Sequence, residues 1–119
     1  MLGGLGMSFY SLKDVPEEIV SPTLSRKIIC GDKIMFVVWT VKPGGEVPLH
    51  SHPHEQLSYV LQGKAEVTLG DEKRVVGPGD LYHVPFQSNL KHEVKVLGDE
   101  PFVEIDIFHP IREDFLKKK

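Results

Sequence analysis

The chain has 119 residues, of which 14 are lysine or arginine and 17 are aspartate or glutamate, so its formal net charge is −3. This length suits one compact domain, and the acidic balance argues against a nucleic-acid partner, which requires a basic surface. The single cysteine, Cys30, excludes an intrachain disulfide and is interpreted as core filling. No segment reaches the ~20 apolar residues of a membrane span, and we predict a cytoplasmic protein without a membrane partner.

Only two short segments predict helix. Pro16 and the acids beside it indicate one helical turn between residues 11 and 20. Pro110 begins a second turn over residues 111–116. The glycine-rich start of the chain and the basic tail at residues 117–119 predict no fixed structure.

The body of the chain predicts strands. Short runs rich in β-branched and aromatic residues are interrupted by Gly, Pro and Asp at close intervals. The run Ile34–Val41 is continuously apolar and predicts a buried strand. The other predicted strands are 46–50, 56–61, 65–69, 74–76, 81–85, 92–97 and 101–108. Many short strands with tight turns and little helix predict an all-β sandwich or barrel.

Residues that can bind a metal are concentrated in the stretch His-Ser-His-Pro-His-Glu-Gln, from position 50 to position 56. Neutral imidazole is the commonest protein ligand for a transition metal. His50 and His52 leave the same face of a strand because side chains alternate along it. Pro53 then predicts a bend, which brings Gln56 back beside the two histidines.

A fourth ligand must come from a distant part of the chain. His92, at the start of a late strand, can face the first two histidines across a barrel interior. His83 is the alternative fourth ligand. His54 lies in the predicted bend and is interpreted as exposed, or as a residue at the edge of the pocket, rather than as a ligand.

These residues resemble the cupin family. The first cupin motif is matched by Gly44, His50, His52, Gln56 and Gly63, and the second by Pro78, Gly79, Asp80, Pro85 and His92. The resemblance implies a single cupin jelly-roll barrel (double-stranded β-helix) with short N- and C-terminal helical turns. It also implies one divalent transition metal, with zinc, nickel, iron, manganese or copper as candidates. The implied metal ligands are His50, His52, Gln56 and His92.

One departure from the broad family concerns Gln56, where most cupins carry Glu. A neutral amide oxygen leaves the ion its full double positive charge, which makes it a stronger Lewis acid. The segment from Glu104 to Phe115 adds a narrower resemblance, because it is similar to the end of the pectin-degradation, KdgF-like cupins. Those proteins also carry His-x-His-Pro-x-Glu-Gln in the first motif, with Gln as the ligand.

The narrower resemblance implies an enzyme that converts a 4,5-unsaturated, galacturonate-like uronate monosaccharide to linear 5-keto-4-deoxyuronate. Its implied functional residues are Asp106, Phe108 and Arg112. The strand pattern is consistent with these roles, because Asp106 and Phe108 share one strand face. An acid in an apolar strand must lie beside polar groups or face the barrel interior. Arg112 lies just past the strand end, where it can pair with a substrate carboxylate.

Several further predictions concern organisation and partners. Residues 1–32 are interpreted as an N-terminal extension and first strand, packed on or swapped onto the barrel, and residues 33–119 as the cupin barrel with its C-terminal strand and helical tail. The apolar run Ile34–Val41 and an open sheet edge predict a homodimer. Two other functions fit the same motifs: a cupin-type metal-dependent dioxygenase, and a non-enzymatic cupin that binds a small sugar or acid.

Overall fold

The computed structural model describes residues 8–116, and the predictions for the glycine-rich start and for the basic tail fall outside this range. The described chain folds into strands β1 (Glu18–Ser21), β2 (Leu24–Cys30), β3 (Met35–Val41), β4 (Glu46–His50), β5 (Glu55–Gln62), β6 (Lys64–Leu69), β7 (Glu72–Val76), β8 (Leu81–Val84), β9 (His92–Leu97) and β10 (Phe102–His109). A short 3₁₀ turn, Leu12–Asp14, precedes the strands, and one helical turn, α1 (Glu113–Leu116), follows them. No helix among residues 8–116 is long and apolar enough to cross a membrane.

The strands form two antiparallel sheets that enclose one core. The larger sheet has the order β1-β2-β3-β10-β5-β8, and the smaller has the order β4-β9-β6-β7. From β3 to β10 each successive strand belongs to the other sheet, except that β6 and β7 are consecutive in the smaller one. The chain therefore winds repeatedly from sheet to sheet. The all-β jelly-roll predicted from the sequence is confirmed.

The N-terminal region differs from the prediction in one respect. The predicted helical turn ends at Asp14, before Pro16, and the chain then continues as β1 rather than as helix. This strand has β-branched residues at its centre. It pairs with β2, and the backbone N–H and C=O groups of the two strands form hydrogen bonds with each other. β2 in turn pairs with β3 along its whole length, from Leu24 opposite Val41 to Cys30 opposite Met35. The predicted division of the chain after residue 32 thus falls between two neighbouring strands of one sheet.

The core lies between the inner faces of the two sheets. Along β3 every second residue is buried, as the period of two requires. The same alternation places both apolar and polar side chains of β5 and β10 inside the barrel. The buried members of these two strands are Gln56, Ser58, Val60, Phe102, Glu104, Asp106 and Phe108. Cys30 is half-buried and packs against this core, in agreement with its interpretation as core filling.

The glycines of the cupin-like motifs occupy turns with positive φ. Gly44, Gly63 and Gly79 have φ angles of +82°, +82° and +92°, a region that residues with a side chain rarely adopt. Gly63 is further constrained, because a Cβ atom at this position would collide with the carbonyl oxygen of Pro101. The tight turn from β5 to β6 therefore requires glycine, and it fixes the end of the strand that carries Gln56.

Candidate metal centre

Three histidines from separate segments converge at one end of the barrel. His50 ends β4, His52 lies in the loop after it, and His92 begins β9. The antiparallel pairing of β4 with β9 sets His50 directly opposite His92. Ligand atoms of the three imidazoles all lie within 4.8 Å of one another. This spacing brings the three rings close enough to share one ion.

Each of these imidazoles is anchored through its Nδ1 atom to a backbone carbonyl oxygen two residues away. The Nδ1–O distances are 2.8 Å from His50 to Pro48, 3.1 Å from His52 to His54 and 2.9 Å from His92 to Leu90. A carbonyl oxygen can only accept, so each Nδ1 carries the hydrogen and donates it. The lone pair of each ring is therefore on Nε2, the arrangement that orients histidine toward a metal.

Gln56 adds an oxygen to this group of nitrogen lone pairs. Its Oε1 lies 2.8 Å from Nε2 of His52, and neither atom has a hydrogen to offer in this arrangement. Nε2 of His92 is buried and has no hydrogen-bond partner among the described residues. Acceptor atoms that face each other inside a protein repel unless a cation or a donor lies between them. Three imidazole nitrogens and one amide oxygen suit a borderline divalent transition metal.

The electrostatic environment keeps two of the imidazoles, those of His52 and His92, neutral. Burial is the largest effect that lowers the pKa of His52 to about 4, and the positive charge of Arg112 lowers it further. Burial likewise lowers the pKa of His92 to about 4, and His50 and Arg112 contribute in the same direction. A metal binds only the neutral form of imidazole, so these two ligand candidates are in the required form at neutral pH.

A chain of hydrogen bonds leads from this centre into the barrel. Nε2 of Gln56 donates to Oγ of Ser58 over 2.9 Å, and Oγ of Ser58 donates to Oδ1 of Asp106 over 2.7 Å. The three residues are buried. Ser58 lies directly opposite Asp106 in the pairing of β5 with β10, so the register of these strands creates the contact. Asp106, predicted to face the interior, does so.

A second carboxyl group lies beside Asp106. Glu104 and Asp106 interact as two neighbouring carboxyl groups that are both buried inside the barrel. Burial and the charge of Asp106 raise the pKa of Glu104 well above its ordinary value. Burial also raises the pKa of Asp106, against the opposing effect of its hydrogen bonds. The hydroxyl of Tyr82 lies 2.9 Å from both oxygens of Glu104, so the carboxyl pair is held in place from its far side.

The sequence analysis did not predict these contacts. No functional role was predicted for Ser58, Glu104 or Tyr82. A usable signal exists, because Ser58 is two residues from Gln56 and Glu104 is two residues from Asp106, so each shares the inward face of its strand. The partner of each residue, however, depends on strand register.

Arg112 and Phe108 complete the rim of the site. Nε and one terminal nitrogen of Arg112 donate to the two carboxylate oxygens of Asp114 over 3.1 and 2.8 Å. The guanidinium lies 5.1 Å from the ring centroid of Phe108 and 4.1 Å from that of Phe115. The ring of Phe108 packs edge-on against His52 with a centroid distance of 5.5 Å. The structure thus brings Phe108 and Arg112, two of the functional residues implied by the resemblance, close to the histidines.

Two spaces adjoin the histidines. An inner chamber of about 30 Å³ is lined by residues that include His50, Gln56, His92, Asp106 and Arg112. This volume suits an ion or a water molecule rather than a sugar. An open groove of about 300 Å³ lies outside it and shares His50 and Arg112 with the chamber. The groove is large enough for a monosaccharide-sized ligand.

Two other histidines, His83 and His54, are not members of this cluster. His83 is on the outer face of β8, where its Nε2 lies 2.7 Å from a carboxylate oxygen of Glu55. The fold therefore brings His92, rather than His83, to the first two histidines. His54 is half-buried, and its ring packs beside that of His52 with a centroid distance of 5.6 Å. It contacts the edge of the site without joining the cluster.

Comparison with known proteins agrees with this architecture. The model of the family described as "Cupin domain" matches residues 37–108, and the chain belongs to the cupin family. The pectin degradation protein KdgF of Dickeya dadantii (strain 3937) is 37% identical over 105 residues, which cover 87% of this chain and 93% of that protein. The structure of KdgF from Halomonas sp. superimposes with a TM-score of 0.83 at 33% identity and covers 91% of this chain and 99% of the other. Within the family, the protein is a KdgF-like cupin.

The similarity extends to a longer cupin protein. Oxalate decarboxylase OxdC of Bacillus subtilis (strain 168) is 34% identical over 79 residues, which cover 62% of this chain and only 20% of that protein. The match therefore reflects one shared domain and does not extend over the full length of the decarboxylase. A structure of an RmlC-like cupin from Shewanella frigidimarina NCIMB 400 superimposes with a TM-score of 0.83 at 28% identity, over 92% of this chain and 96% of the other.

Proposed function

We propose that this cupin binds one divalent transition metal and converts a 4,5-unsaturated uronate monosaccharide, of the galacturonate type, to linear 5-keto-4-deoxyuronate. The ligands would be His50, His52, Gln56 and His92. One observation carries the proposal: lone pairs that need a cation lie beside a buried acid, Asp106, and at the end of a sugar-sized groove. The similarity to two KdgF proteins supports the choice of substrate.

Substrate and product of this reaction are isomers, so the chemistry is a proton transfer coupled to ring opening. The C1 hydroxyl loses its proton, a C1 carbonyl forms, and the bond from C1 to the ring oxygen breaks. The ring oxygen stays on C5 as an enol, which becomes the 5-keto group when C4 takes up a proton. A bound metal supplies Lewis acidity toward substrate oxygens, and the protein must supply the group that moves the proton.

Asp106 is the residue positioned to move that proton. It lines the chamber beside the histidines, and its carboxylate accepts a hydrogen bond from Ser58. Its raised pKa brings it closer to the value at which a carboxyl group both accepts and returns a proton efficiently. Phe108 closes the chamber beside His52 and excludes water from the reacting atoms.

Arg112 is suited to bind the substrate carboxylate. Its guanidinium already holds a carboxylate in two-point contact, that of Asp114, which demonstrates that the required geometry is available. The side chain of Asp114 is 55% exposed and can turn toward water when a substrate carboxylate replaces it. Because Arg112 lines both the groove and the chamber, a uronate held there has its ring directed toward the histidines.

Elemental analysis of the purified protein, together with an assay on unsaturated galacturonate, tests the proposal. We expect one transition-metal ion per chain and loss of the ultraviolet absorbance of the conjugated double bond, with activity removed by a chelator and restored by metal. A metal-loaded protein that leaves the absorbance unchanged would refute the reaction. Binding without turnover would instead favour a binding module, and oxygen consumption would favour a dioxygenase.

We further propose that the protein is a homodimer formed through the outer face of the larger sheet. The central strands of that sheet place apolar side chains side by side: Phe36, Val38, Leu57, Tyr59, Ile105 and Ile107. Leu57, Tyr59 and Ile107 are between 40 and 46% exposed. A continuous apolar sheet face is typical of a protein contact, and a twofold pairing of like faces would cover it.

Ile105→Glu is expected to convert the dimer to a monomer, because it introduces a charge at the centre of this face. Sedimentation equilibrium measures the change as a halving of mass. Val75→Glu, at a 61% exposed position on β7 of the other sheet, is the matched control and should remain dimeric. A monomeric unsubstituted protein, or a dimer that survives Ile105→Glu, would count against this interface.

A further inference from the structure

We infer that Ser58 is a positioning residue for the metal centre: it fixes the amide of Gln56 with its oxygen toward the histidines, and it is the reason that this position carries an amide rather than the usual cupin acid. The inference rests on the proposed metal centre and concerns a residue outside the ligand set. It is carried by two hydrogen bonds in series, from Gln56 to Ser58 and from Ser58 to Asp106.

The orientation of an amide ligand has functional consequences. The oxygen and nitrogen of a glutamine amide are nearly equal in shape, so hydrogen bonds alone decide which of them faces a given neighbour. With the nitrogen turned toward His52, an N–H group would donate to the Nε2 lone pair and block it. With the oxygen turned toward His52, both atoms are free to bind a cation. Some neighbour must therefore select the second orientation before metal arrives.

Asp106 and Ser58 together make that selection. A hydroxyl group has one hydrogen to donate, and the hydroxyl of Ser58 gives it to Oδ1 of Asp106 over 2.7 Å. The lone pairs of the same oxygen then face Gln56 and accept from its Nε2 over 2.9 Å. Ser58 is fully buried, so water does not compete for either bond. The remaining amide oxygen is left 2.8 Å from Nε2 of His52.

The same two hydrogen bonds explain why position 56 carries glutamine instead of glutamate. A glutamate at position 56 would present a carboxylate oxygen to Ser58, whose only hydrogen is already donated to Asp106. Two carboxylates would then compete for one hydrogen, and one of them would be buried without a donor, which is costly. A carboxamide supplies its own hydrogens and avoids the conflict. The departure of Gln56 from the common cupin pattern thus follows from Ser58 and Asp106.

Ser58→Ala tests this role directly, because it removes the hydroxyl without adding volume. We expect the zinc affinity, measured by competition with a chelator, to fall about 10- to 100-fold, the range found for groups that orient metal ligands. We also expect the visible spectrum of the cobalt(II)-loaded protein to change, since the oxygen ligand is no longer held in place. A purely structural role would leave that spectrum unaltered.

Ser25→Ala is the matched control. Ser25 is also a buried serine, and its Oγ donates to Glu17 over 2.6 Å, away from the histidines. This variant should keep the zinc affinity and the cobalt spectrum of the unsubstituted protein. Equal affinities and spectra for Ser58→Ala and Ser25→Ala would overturn the inference while leaving the metal centre intact. Failure of the unsubstituted protein to bind either ion would refute the proposed centre, and the inference with it.

Discussion

Asp106→Asn is expected to reduce turnover of unsaturated galacturonate severely while the metal remains bound. The substitution keeps the size of the side chain and an oxygen that accepts the hydrogen of Ser58, so the ligand geometry persists. The amide, however, cannot take up and return a proton. General acid–base catalysis contributes typically 10²- to 10⁴-fold, and we therefore expect a loss of about 10³-fold in kcat. The decay of the ultraviolet absorbance of the substrate measures kcat.

The control for this experiment is the same chemical change in an exposed turn. Asp99 lies between β9 and β10 and is exposed, so Asp99→Asn should retain full activity. Elemental analysis of both variants separates loss of catalysis from loss of metal. An Asp106→Asn protein that is loaded with metal and still active would show that the proton passes through another group.

His92→Ala is expected to weaken metal binding by about 100-fold or more, since a site of four ligands with an affinity of about 10–16 kcal/mol loses roughly a quarter of its interactions. Activity should fall below detection at limiting metal and return in part at excess metal. Chelator competition with zinc measures the first effect, and the absorbance assay under graded metal measures the second.

The comparison variant is His83→Ala. His83 carries the same side chain but lies on the outer face of β8, in contact with Glu55. We expect its removal to leave metal affinity and activity unchanged. The two variants therefore distinguish the two candidates for the fourth ligand, and the opposite pattern of losses would exclude His92 from the centre.

The sequence by itself determined the strands and the faces of their side chains. Alternation with a period of two is a local property, so the inward positions of Asp106 and Phe108, opposite to those of Ile105 and Ile107, were readable from β10 alone. The Gly, Pro and Asp residues likewise predicted the turn at Gly63 and the ends of most strands. The grouping of His50 with His52 and Gln56 required only a strand end and a bend.

The tertiary structure decided which distant residues meet. The choice of His92 over His83 depends on the register that sets His50 opposite His92. The hydrogen bond of Ser58 to Asp106 depends on the register of β5 with β10. The helical turn expected around Pro16 gave way to β1 because the edge of β2 was available for pairing. Parity along a strand follows from backbone geometry, whereas register between strands follows from packing of the whole barrel, and only the folded chain supplies it.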